Sequence, residues 1–142
     1  MKNPLHILLV EDSADDVDLI RLAIKRAGAT VKLDVKMDGQ EAMEHLMGLK
    51  AFPAQSPNLI LLDLNMPKKN GREVLAEIKQ TDHLRTIPVI VFTTSRAEPD
   101  IVISYRLGAA CYVVKPDEFD KLVRTFQHFC AFWECVQFSP KE

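Results

Sequence analysis

Short, nearly unbroken apolar runs alternate along the chain with stretches in which apolar residues return every three or four positions. The first run, Leu5-His6-Ile7-Leu8-Leu9-Val10, reads as a strand covered on both faces. Ser13 can cap the helix that follows, with Asp16 at its third position. Val17, Ile20, Ile24 and Ala27 form its apolar face, Leu22 fits less well, and Gly28 ends it. Val31, Leu33 and Val35 alternate with Lys32, Asp34 and Lys36, the pattern of a strand with one face less buried. Asp38 then caps a helix to about residue 49, and residues 50–58, with Pro53 and Pro57, read as a surface loop.

Leu59-Ile60-Leu61-Leu62 is the most continuously apolar strand and ends at Asp63, which predicts a central, buried position. After the loop 65–70, a helix spans Gly71 to about Gln80 with Val74, Leu75 and Ile78 inward. Pro88 opens a strand over 89–92, where its missing N–H costs little. Pro99 lies in the first turn of a helix ending near Gly108, and Cys111 to Val114 is a fifth strand. Asp117 can cap the last helix, which carries Phe119, Leu122, Val123, Phe126, Phe129, Cys130 and Trp133 at helical spacing. Five strands alternating with five helices predict an α/β fold, a (βα)5 doubly wound five-stranded parallel sheet, with its ligand site at the carboxyl ends of the strands.

Composition narrows the class. At 142 residues and 47% apolar, the chain is one domain's worth and needs no disulfide or structural metal to hold a core. A net charge of −2 gives no basic field, so neither nucleic acid nor an anionic membrane is the expected partner. The chain contains neither a signal-peptide core nor a membrane-length apolar span, so a soluble, cytoplasmic protein is expected. Cys111, Cys130 and Cys135 lack metal or disulfide spacing and read as buried thiols. His6, His45, His83 and His128 show no spacing that suggests a metal or phosphohistidine site.

The strand ends carry the chemistry. Strand one ends in Glu11-Asp12, strand three in Asp63, strand four in Thr93-Thr94, and strand five runs into Lys115-Pro116. Three carboxylates brought together repel one another unless a cation joins them, and a hard dication such as Mg²⁺ takes such oxygen ligands together with phosphate oxygens. A nearby hydroxyl and ammonium suit a phosphoryl group. The residues therefore read as an Asp nucleophile, best assigned to Asp63, forming an acyl phosphate beside Mg²⁺.

Val10-Glu11-Asp12-Ser13, Leu62-Asp63-Leu64-Asn65-Met66-Pro67 with Gly71, Phe92-Thr93-Thr94-Ser95 and Tyr112-Val113-Val114-Lys115-Pro116 resemble the motifs of two-component response-regulator receiver domains, whose fold is flavodoxin-like. The resemblance covers about residues 5–129. It implies that Asp63 is the phosphoacceptor, Asp12 a direct Mg²⁺ ligand, Glu11 a ligand through water, and the Asn65 carbonyl a further ligand. It also implies that Thr93 and Lys115 bind the phosphoryl oxygens, that Lys115-Pro116 is a cis peptide, and that Tyr112 is a switch aromatic that turns inward with Thr93. Glu11 and Thr94 depart from the family's commonest residues, Asp and a smaller side chain. Asn65 and Ser95 flank the site and are expected to influence dephosphorylation.

The receiver is expected over residues 1–130, with 131–142 an aromatic extension of the last helix and no separate output domain. Such a chain catalyses only its own phosphorylation and dephosphorylation, and its output is another protein. Tyr112, Phe126, Phe129, Phe132 and Trp133, with Phe138 beyond them, suggest a two-fold self-association surface, the alternative being a tail folded back on its own core. A narrower resemblance, to stand-alone receivers paired with bacterial and cyanobacterial phytochromes, implies a phytochrome-type histidine kinase as phosphodonor and a homodimer. Three further readings remain. A phosphate sink or phosphorelay intermediate would share the site. A flavodoxin-like nucleotide or flavin binder would need a glycine-rich cradle where Glu11 to Asp16 is acidic. An aspartyl-phosphate phosphatase would need a second carboxylate where Asn65 stands.

Overall fold

A computed structural model describes residues 4–141. Its strands are β1 (Leu5–Val10), β2 (Val31–Lys36), β3 (Leu59–Leu62), β4 (Val89–Thr93) and β5 (Cys111–Val114). Its helices are α1 (Ala14–Arg26), α2 (Gly39–Gly48), α3 (Gly71–Gln80), α4 (Glu98–Arg106) and α5 (Phe119–Trp133). All neighbouring strands are parallel, in the order β2-β1-β3-β4-β5. The chain leaves β1 for β2 on one side and reaches β3 on the other, so the strand order reverses between β1 and β3. A crevice therefore opens at the carboxyl ends of those two strands.

The alternation of side chains across the sheet assigns the helices to two layers. Ile7, Leu9, Leu59, Leu61, Ile90 and Phe92 face α1 and α5, where Val17, Ile20, Leu122 and Phe126 meet them. Leu8, Val10, Ile60, Leu62, Val89 and Val91 face the opposite way, against Met43 and Leu46 of α2 and Val74, Leu75 and Ile78 of α3. All four side chains of β3 are essentially inaccessible to solvent, so β3 is the central strand that its apolar run predicts. Each contributes about 1.5–3 kcal/mol through burial. Ser13, Asp38 and Asn70 cap α1, α2 and α3 by accepting the amides of Asp16, Glu41 and Glu73. The edge strand β2 is half-exposed, and its Asp34 accepts a 2.6 Å hydrogen bond from His6 Nε2 of β1.

Several local expectations need correction. Residues 50–58 contain two 3₁₀ turns, Leu49–Ala51 and Pro53–Gln55, because Pro53 supplies a preset φ at the start of the second. The cap position of α5 is Glu118, without a side-chain bond, rather than Asp117. The Lys115–Pro116 peptide is trans, the isomer favoured by about 0.5–1 kcal/mol before proline. Cys135 is exposed and bonds only within its helical turn, whereas Cys111 and Cys130 are half-buried. Phe126 is wholly interior, edge-on to Phe92 and Phe129, so it belongs to the core and not to a self-association surface. Phe129 and Trp133 are half-buried against the same core. The tail folds back: Phe138 stacks on Trp133, with centroids 5.5 Å apart, and Phe132 alone of the set is mostly exposed, edge-on to Trp133.

Backbone proximity explains one glycine. A methyl group at Gly71 would lie 2.7 Å from Leu64 Cα and closer still to the Asp63 carbonyl oxygen. Gly48, at the end of α2, has open space in the same direction. Gly71→Ala is expected to destabilise the fold by about 1–3 kcal/mol through overpacking. Gly48→Ala should stabilise it by about 0.5–1 kcal/mol. Urea denaturation midpoints of the two variants check both signs.

Candidate functional site

Three of the residues at the crevice stand one position beyond a strand, yet their amides continue the ladders. The Glu11 amide donates to the Lys36 carbonyl at 3.0 Å, that of Asp63 to Val10 at 3.0 Å, and that of Lys115 to Thr93 at 2.7 Å. Their side chains are thus fixed from a rigid sheet edge. Carboxylate oxygens of Glu11, Asp12 and Asp63 all lie within 4.8 Å of one another, with Glu11 and Asp63 buried and Asp12 exposed. Lys115 reaches this group from beyond β5. Its ammonium bonds Glu11 Oε1 and Asp16 Oδ2, the latter at 3.1 Å, and lies 3.8 Å from Asp63 Oδ2.

The electrostatics follow from this crowding. Burial pushes the Glu11 carboxyl up to about 7, a rise opposed by the Lys115 hydrogen bond and reinforced by the Asp63 charge. Burial draws the Lys115 ammonium down, but its bond to Glu11 and the charges of Asp63 and Glu11 outweigh that, and the net displacement is upward. One ammonium cannot balance three clustered carboxylates. A dication in the same place supplies the missing charge, and the all-oxygen donor set fits a hard ion.

The fourth expected group is Thr93. It is completely buried, and its hydroxyl has no hydrogen-bond partner among the described residues. An unpaired buried hydroxyl costs about 1–3 kcal/mol, and a hydrogen-bond acceptor brought within its reach would recover part of that. Tyr112 is half-buried, packed against the α2–α3 side of the core. Its hydroxyl donates to the Ser95 carbonyl at 3.0 Å, and its amide donates to Tyr105 Oη at 3.1 Å. Ser95 Oγ in turn donates to Asp100 at 2.6 Å, and Asp100 is paired with Arg72 of α3. Tyr112 is therefore tied to the turn after β4, two residues past Thr93.

Asn65 is exposed on the loop 64–70, two residues after Asp63. That loop is clamped from both sides. The Gly71 amide donates to the Leu64 carbonyl at 2.9 Å, and Lys68, in the left-handed region at φ 64°, pairs with Asp38 at 3.4 Å. At Gly39, the first residue of α2, a methyl group would overlap the Lys69 carbonyl.

Sequence reasoning brought Glu11, Asp12, Asp63, Thr93 and Lys115 to the right edge but missed two participants. Asp16 read only as a helix-cap position, although side chains in a first turn lean toward the helix N-terminus and hence toward the sheet edge. The Ser95–Asp100–Arg72 bridge joins residues far apart in sequence and has no local signal.

Residues 7–127 match the response regulator receiver domain family. The chain is 45% identical over 131 residues to the response regulator Rcp1 of Synechocystis sp., covering 92% of this chain and 89% of that protein. Among solved structures, the phosphorylated cyanobacterial phytochrome response regulator RcpA superposes with a TM-score of 0.87 at 40% identity, over 97% of this chain and all of that one. The Mn²⁺-bound form of Rcp1 gives a TM-score of 0.83 at 44% identity, over 96% and 100%.

The unpaired hydroxyl can be tested by itself. Thr93→Val keeps the shape and removes the unsatisfied group, so the fold should gain about 1 kcal/mol in the unliganded protein. A thermal midpoint unchanged or lowered would show that Thr93 already has a partner.

Proposed function

This chain belongs to the response regulator receiver domain family, and from that premise we propose that it takes a phosphoryl group on Asp63 from a phytochrome-type histidine kinase and signals through protein contacts in the cytoplasm. The observation that carries the reading is the convergence of Glu11, Asp12 and Asp63 with Lys115 and the unpartnered Thr93 hydroxyl. Residues 1–130 form the receiver in this reading; the expected extension of the last helix over 131–142 stops at Trp133, and residues 134–141 form a non-helical tail that folds back so that Phe138 stacks on Trp133. Among the described residues no helix is long and apolar enough to cross a membrane.

Asp63 supplies the nucleophile. One carboxylate oxygen attacks phosphorus, the new O–P bond forms as the donor's N–P bond breaks, and the imidazole leaves with the electron pair. Glu11, Asp12, Asp63 and the Asn65 carbonyl would hold Mg²⁺, which would neutralise charge on the phosphoryl oxygens. Lys115 is close enough to bind one of those oxygens after a small movement, and the Thr93 hydroxyl supplies a donor to another. Tyr112, linked through Ser95 to the strand that carries Thr93, is placed to transmit the change outward. The acidic run after β1 contrasts with the glycine-rich cradle a nucleotide binder needs.

Incubation with a small phosphodonor and Mg²⁺ should add about 80 Da, one phosphoryl group, to the intact chain. EDTA or Asp63→Asn should abolish the adduct. An adduct that persists in Asp63→Asn would move the acceptor elsewhere.

A homodimer belongs to the same proposal, with its apolar contact reduced to the outer face: Phe132 is 59% exposed, and Tyr105 and Val102 of α4 are 49% and 45% exposed. Phe132→Ser should shift the molecule toward monomer in sedimentation equilibrium at micromolar concentration and make the denaturation midpoint independent of protein concentration. A dimer that survives the substitution would place the contact elsewhere.

A further inference from the structure

The contacts of Lys115 single out a residue outside the expected set. A lysine ammonium has three N–H donors and no acceptor. Glu11 and Asp16 engage two of them, while Asp63 Oδ2 stands 3.8 Å away, outside hydrogen-bond range. The third donor is therefore left over on a cation already anchored at the rim of the pocket.

The two anchors are not equivalent. Glu11 is one of the three carboxylates able to share a metal ion, so a bound dication draws on the same oxygens that hold Lys115. Asp16 is outside that cluster. It stands in the first turn of α1, where its own amide donates to the capping hydroxyl of Ser13 at 3.2 Å. Its backbone is thus fixed by the helix cap, and its carboxylate is the one anchor of Lys115 that metal binding leaves alone.

We propose that Asp16 is a positioning residue for phosphoryl transfer, holding the Lys115 ammonium at the edge of the pocket so that its third N–H is free for a phosphoryl oxygen. The inference rests on the proposed chemistry at Asp63 and adds to it a residue that touches neither the metal ligands nor the reacting atoms. Neighbouring Asp15 provides an internal comparison. It is exposed, carries the same charge in the same helical turn, and makes no ion pair among the described residues.

The test is the rate of adduct formation on the full chain with acetyl phosphate at saturating Mg²⁺, followed by intact mass, for the unmodified protein and for D16N, D16E and D15N. D16N should slow the reaction about two- to fivefold, the scale of one partly exposed ion pair. D16E should restore most of the rate, because it keeps a carboxylate within reach of Lys115, and D15N should react like the unmodified chain. Equal rates for D16N and the unmodified protein would overturn the proposal. So would an equal slowing in D15N, which would assign the effect to charge alone, or a failure of D16E to recover the rate. If the unmodified chain itself takes no phosphoryl group, the reading of Asp63 falls instead.

Discussion

Parallel pairing of β1 with β3 is the constraint from which the rest of the site follows. It sets Val10 opposite Leu62, so the residues that come next, Glu11 and Asp63, must share one small volume at the sheet edge. Two buried carboxylates side by side are unfavourable unless positive charge is supplied. Lys115 supplies part of it from the far side of β4, and its own burial is tolerable only because these acids are there. The sheet thus imposes the crowding, and the crowding dictates what can bind.

Around that centre, the surrounding segments are held by backbone geometry more than by side-chain chemistry. Gly39 lets α2 approach the Lys69 carbonyl, Gly71 lets α3 start against the Asp63 carbonyl, and Lys68 accepts a left-handed conformation while paired with Asp38. The loop that carries Asn65 is consequently wedged between two helix starts. By contrast, the turn after β4 is held by a chain of polar bonds through Tyr112, Ser95, Asp100 and Arg72. Such bonds can exchange partners without repacking a core, whereas the wedged loop cannot move without doing so.

The elements themselves were legible because each apolar run and each cap acts locally. Leu59 to Leu62 announced a central strand, and Ser13 and Asp38 stand where side chains meet the first amides of helices, whereas the cap role of Asn70 was not read. The carboxylates, Thr93 and Lys115 were legible because doubly wound topology sends every strand end to one edge. Helical spacing put Phe126 on the inward face and left Phe132 off it, as found, but Phe126 could not then also serve a self-association surface. Six residues carry Phe132 round to another side of α5, whereas Phe129 and Trp133, three and seven residues on, return to the core. The contact of Asp16 with Lys115 spans 99 residues, and no periodicity within either segment encodes it.

Trp133 is the sole tryptophan and stacks on Phe138 of the tail. It borders a hollow with Pro4, Leu5 and Gly28, at the amino-terminal end of β1, while Glu11 and Asp12 lie past the other end of that strand. The chain therefore carries an intrinsic fluorophore on the pole of the molecule opposite its carboxylates. Its emission reports whether the tail is docked, and a change in that emission on loading the distant pocket would measure how far a disturbance travels along the length of the sheet.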